Sequence, residues 1–158
     1  MADVTERKQA EGEDILDIEI RRGLSELQRP TTGLSLSGLS AGLDIGFGPL
    51  LMAVILTTAG AADTGELATE LLLAIAYGVG FILVVLGRSE LFTEHTTLAV
   101  LPVLDGQASV ARLARLWGIV YVANLVGTVV FAGLVVTVGP TVDVVEPSAI
   151  VELARVYT

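Results

Sequence analysis

The chemistry-bearing side chains of this sequence gather between Arg88 and Thr97. Arg88, Ser89, Glu90, Thr93, Glu94, His95, Thr96 and Thr97 bring a guanidinium, two carboxylates, an imidazole and four hydroxyls into one short stretch. An imidazole titrates near neutral pH and can hand a proton to a weak acid, while hydroxyls offer neutral donors and acceptors. Hydrolytic and metal chemistry fail on spacing. Glu94-His95 is not a His-Glu-x-x-His zinc motif, and one His with no Cys cannot build the usual zinc site. Gly87-Arg88-Ser89-Glu90 lacks the second glycine of a nucleophile elbow. No catalytic residue, metal or cofactor is expected.

The elements around this stretch are membrane-like. Leu71 to Gly87 reads LLLAIAYGVGFILVVLG without a charge. As a helix it would span roughly 25 Å, close to the ~30 Å hydrocarbon core. After the polar residues only LAVLPVL follows before Asp105-Gly106, far short of the ~20 apolar residues of a further span. One discontinuous helix with an irregular middle is the economical reading. Irregular backbone is tolerated at membrane depth only when buried in protein or lining a wet cavity, which points to a channel or transporter.

Composition agrees. The chain is 53% hydrophobic with mean hydropathy +0.73, and its charges lie mostly outside three long apolar segments. At 158 residues it is expected to be a single membrane domain. A net charge of -9 argues against a nucleic-acid partner, and the absence of Cys leaves no disulfide framework. The late first apolar run is no cleavable signal peptide, so the first span is expected to act as its own signal-anchor.

The expected architecture is all-α. Residues 1–12 are expected as a disordered tail. Residues 13–29 follow as an amphipathic helix, with Leu16, Ile20, Leu24 and Leu27 at helical spacing, ended by Arg29-Pro30. It suits either the membrane surface or other subunits. The first span is expected over 34–61, where Gly38, Gly42 and Gly46 stack on one face to admit a close neighbouring helix. Asp44 is the one charge there and points away from the glycines; it either serves a polar path or is a satisfied structural carboxyl. The second span divides into 71–87, a loop at 88–96, and 97–104. A loop with Arg112 and Arg115 leads to the third span, 116–138, with Trp117 and Tyr121 as an interfacial anchor. Asn124 reads as helix–helix glue rather than a ligand. Gly139-Pro140 closes that span, and 139–158 is an outside tail with the start of another helix. Seven of the nine basic residues fall on the N-terminal segment and the loop after the second span. The chain is therefore expected in the cell membrane as a multi-pass protein, N-terminus cytoplasmic and C-terminus outside.

Two stretches carry a family resemblance: GFILVVLGRSELFTEHTTLAVLPVL from Gly80 and RLWGIVYVANLVGT from Arg115. With AGLDIGFGPLL in the first span, they resemble the formate/nitrite transporter family, in the subgroup with an LFTEN-type loop. The resemblance runs from about Glu11 to Pro140. It implies six-helix subunits with an inverted three-plus-three repeat, an aquaporin-like fold and pentameric assembly in the bilayer. The implied substrates are small monovalent anions or their weak acids. Leu91, Phe92 and Thr93 would form a non-helical loop narrowing the pore, Phe92 as apolar gate and Thr93 as the hydroxyl at its centre. Glu90 and Glu94 would fix that loop or cap the half-helix after it.

The sequence departs from the family pattern in two ways. It ends after the third span, so the second half-repeat and its pore-centre His are not in it. His95 stands where the loop motif has Asn; it either acts directly or satisfies local backbone. On this reading the chain alone does not conduct. The alternative is a non-transporting truncated fragment, or a structural partner of a complementary half.

Overall fold

The computed structural model describes the backbone of residues 2–62, 65–95 and 97–156, and the side chains of 14–59, 65–93 and 97–155. Among these residues the secondary structure is entirely helical. Helix α1 (Ala2–Gln28) runs through the stretch expected as a disordered tail. Residues 2–12 are mostly good helix formers (Ala, Glu, Arg, Lys, Gln) and continue the amphipathic helix without a break. That helix ends as Arg29-Pro30 leaves the helical conformation.

The first span is two helices rather than one, α2 (Thr31–Ile45) and α3 (Phe47–Ala62). Pro49 supplies no N–H to the carbonyl of Ile45, so the ladder is interrupted there. Helix α4 (Glu66–Gly87) packs against α3 at this kink. A side chain on Gly48 would lie 2.8 Å from the Tyr77 carbonyl, and one on Gly80 would lie 2.6 Å from the Ile45 carbonyl. Two glycines therefore let the backbones meet where the ladder opens.

Beyond α4 come a single turn, α5 (Phe92–His95), a 3-10 turn (Leu98–Val100) and α6 (Leu101–Leu104). Helix α7 (Val110–Val138) begins inside the expected loop, so Arg112 and Arg115 are helical. The reason is local: the Ser109 hydroxyl accepts the Arg112 N–H, a serine cap on an otherwise good helix. After a 3-10 turn (Pro140–Val142), the short α8 (Pro147–Val156) lays Ala149, Ile150 and Leu153 on α3.

Among the described residues three helical stretches are long and apolar enough to cross a membrane: Thr31–Ala59, Glu66–Gly87 and Val110–Val142. Helix α2 lies along α7 with Gly38, Gly42 and Gly46 at the seam. A Cβ on Gly38 would sit 2.9 Å from that of Ala123, one on Gly42 would strike the Asn124 carbonyl, and one on Gly46 would enter the Phe131 ring. Away from the seams α4 and α7 turn Leu71, Ile75, Leu86, Leu125, Val129 and Leu134 outward. Such faces suit lipid or a neighbouring helix. Helix α1 does not stand apart: Ile20, Gly23 and Leu27 are buried, and Gly23 sits against Leu98 and Pro102.

Candidate functional site

Helix α4 stops because Arg88 takes the left-handed conformation, with φ 50° and ψ 38°. The N–H groups of Arg88 and Ser89 turn back to the Val85 and Val84 carbonyls, closing the helix as a glycine would usually do. A left-handed arginine carries a strain of roughly 1 kcal/mol. The chain then stays out of the helix through Leu91. Phe92 and Thr93, expected as non-helical with Leu91, instead open the α5 turn.

Four residues out of a helix free N–H and carbonyl groups, and each buried one needs a partner. Side chains from two other helices supply them. The Glu90 N–H donates to the Ser37 hydroxyl at 3.0 Å. The Asn124 amide nitrogen donates to the carbonyls of Glu90 and Gly38, both at 2.8 Å. Its amide oxygen accepts the Phe92 N–H, also at 2.8 Å. One side chain thus ties both ends of the break to α2. Asn124 stands midway along α7, so the break abuts the middle of a membrane-length helix.

Two charges are drawn in. The Ser89 hydroxyl donates to the Asp44 carboxylate at 3.0 Å, so Asp44 faces the break rather than the glycine seam. Glu90 is only 4% exposed, and its carboxylate is paired with the Arg29 guanidinium, which also reaches Glu26 at 2.9 Å. The Glu26 hydrogen bond holds the Arg29 pKa above its usual value, burial opposes it, and both carboxylates add attraction. A buried carboxylate without such a partner would be strongly destabilising. Arg115 in turn donates to the Thr31 hydroxyl at 2.7 Å, tying the start of α7 to the start of α2.

The Leu91 side chain packs with Ala41 and Val84. Phe92 is half-buried and meets Trp117 and Tyr121 edge-on, while Thr93 is exposed. The structure thus brings Asp44, Glu90, Leu91, Phe92 and Asn124 to one place. The side chains of Glu94 and His95 lie outside the described residues. Ser37 and Arg29 are contributors that sequence reasoning missed. Ser37 was hidden beside the glycine stripe, and Arg29 reads from sequence as a solvated residue at a helix end. A separate groove of about 310 Å³, lined by Leu50, Ala53, Phe131 and Ile150 among others, is apolar and includes none of these groups in its lining.

The formate/nitrite transporter family model matches residues 13–157. The chain belongs to the formate/nitrite transporter family. It is 37% identical to inner membrane protein YfdC of Escherichia coli over 108 residues, which is 67% of this chain and 34% of that protein. It is 42% identical to a probable formate transporter of Methanothermobacter thermautotrophicus over 94 residues, 58% of this chain and 34% of that one. It is 31% identical to the formate channel FocA of Haemophilus influenzae over 106 residues, 67% of this chain and 36% of the channel. The chain thus spans about a third of the length of these relatives. No solved structure matches it significantly. The family is one of transporters, and the relatives named for an activity are a probable formate transporter and a formate channel.

Proposed function

We propose that this chain supplies one half of a channel-like path for small monovalent anions or their weak acids, formate and nitrite being the first to test. The observation that carries the reading is the interrupted second span. Its backbone is satisfied by side chains of α2 and α7, which leaves Thr93 exposed beside an apolar ring. An apolar constriction excludes water and hydrated ions by dewetting, and one hydroxyl gives a passing solute a neutral partner. Leu91, Phe92 and Thr93 form the narrow point, Glu90 and Asn124 hold it, and Asp44 fixes its entry. His95 is a candidate proton carrier beside it.

The finer reading is half of an aquaporin-like inverted repeat, working in a pentamer, with the N-terminus in the cytoplasm. It rests on the family and on the bias of basic residues. The outward apolar faces of α4 and α7 leave room for a complementary half. The chain alone is then inert. Purified chain in liposomes, with and without a co-expressed second half from a full-length relative, tests this. Saturable formate or nitrite flux is expected only with the second half, and Thr93→Trp should abolish it. Saturable flux by the chain alone would point to a self-paired pore, and no flux with either preparation would favour a structural role.

A further inference from the structure

We propose that Trp117 and Tyr121 are positioning residues that hold the Phe92 ring in one orientation. The inference rests on the reading of Phe92 as a gate for its functional meaning, but its geometry stands apart from that reading. The Phe92 ring centroid is 5.5 Å from that of Tyr121 with the planes at 73°, and 6.1 Å from that of Trp117 at 68°. Both are edge-to-face contacts, the arrangement that aromatic quadrupoles favour.

Trp117, Tyr121 and Asn124 follow one another at intervals of four and three on α7, which puts them on one face. Asn124 accepts the Phe92 N–H at 2.8 Å and so sets its backbone, while the two aromatics flank its ring. One helical face therefore specifies both the backbone and the side chain of the same residue. This accounts for the aromatic spacing of RLWGIVYVAN, which a membrane-interface role would leave unrelated to the broken helix.

A barrier needs this. Exposed side chains exchange rotamers on the picosecond-to-nanosecond scale, and a half-buried phenylalanine at the start of a one-turn helix needs packing on its open side to escape that averaging. Each edge-to-face pair biases one orientation on the order of two- to tenfold. A ring that leaves its seat would widen the path and admit larger solutes. The aromatic pair therefore governs size discrimination, and Tyr121→Phe retains it because the ring edge, not the hydroxyl, makes the contact.

The test is fluorine NMR of the chain carrying 4-fluorophenylalanine, with the Phe92 resonance assigned by its loss in Phe92→Leu. A single sharp Phe92 resonance is expected in the wild type and in Tyr121→Phe. In Tyr121→Leu and in Trp117→Leu it should stay a single line but move toward the averaged shift of a freely exchanging ring, with the other three resonances in place as the check on folding. In flux-competent liposomes containing the second half, Tyr121→Leu should raise acetate passage relative to formate severalfold, and Tyr121→Phe should not. A Phe92 resonance unchanged in folded Tyr121→Leu and Trp117→Leu would overturn the inference. So would a changed resonance with an unaltered acetate-to-formate ratio. If no preparation passes formate, the proposed function falls, and the resonance alone decides whether the seat exists.

Discussion

Two membrane-length helices of this chain are interrupted, and they are repaired in different ways. At Gly46 the first span loses a ladder bond to Pro49, yet the backbone stays near helical geometry with φ -63° and ψ -22°. What closes that site is absence of bulk: Gly48 and Gly80 let α4 press its backbone onto the kink. At Arg88–Leu91 the chain leaves the helix altogether, and side chains must answer the freed groups. Ser37 and Asn124 come from two different helices to do so, and Arg29, just past the end of α1, pairs the Glu90 carboxylate. A kink that exposes one carbonyl can be covered by close packing. An opening of several residues needs donors and acceptors aimed at it, because an unmet group in a low-dielectric surrounding is costly. That difference assigns mechanical shape to the first interruption and a polar site to the second.

The comparison predicts its largest effect at Asn124. Asn124→Leu removes the acceptor of the Phe92 N–H and a donor to each of two carbonyls at once, and should destabilise the folded chain by roughly 3 kcal/mol or more. Thermal unfolding in detergent measures it. A loss no greater than that of a lipid-facing substitution such as Val129→Ala would undo the claim that the break depends on donors and acceptors.

Next come the glycine seams. Gly42→Leu puts bulk against the Asn124 carbonyl and should impair folding or assembly, with overpacking of about 1–3 kcal/mol. Gly80→Leu should do the same at the kink, through the Ile45 carbonyl. Normal yield and unchanged melting for both would mean that closeness of backbones is not what holds these helices.

A smaller effect is expected at Glu90→Gln. It removes a buried charge but leaves Arg29 able to use Glu26 and solvent, so about 1–2 kcal/mol is reasonable for a partly exposed partner. The double swap Arg29→Glu with Glu90→Arg should recover part of the loss if the pair itself matters. A swap as damaging as both single changes combined would argue for backbone geometry instead.

Pro49→Ala should have the smallest effect, within about 1 kcal/mol of wild type, since it restores an N–H without disturbing the glycine contacts. Near-normal melting would place the kink in the packing. A large stabilisation would show the proline to be a retained source of strain.

Much of the architecture was legible in the residues themselves. Charge-free runs of membrane length, the polar stretch between Arg88 and Thr97, and the quoted motifs carried three apolar spans and the family. These are local properties, set by hydropathy and spacing along the chain. Helix ends were read less well where a single residue decides them. Ser109 starts α7 earlier than its run of apolar residues suggests, and the kink at Gly46 follows from one missing N–H at Pro49.

The bonding of the break was not legible. Asn124 stood out as polar in an apolar helix, but nothing along the chain says that its amide serves groups on α2 and on both sides of Leu91. Trp117 and Tyr121 read as membrane anchors until the fold set the Phe92 ring against both. Arg29 finds Glu90 across 61 positions, and no periodicity encodes such a meeting. Hydropathy dictates which segments leave water; which hydrogen-bonding groups then face one another depends on how those segments pack, because inside an apolar surrounding each polar atom must take the partner that packing places beside it.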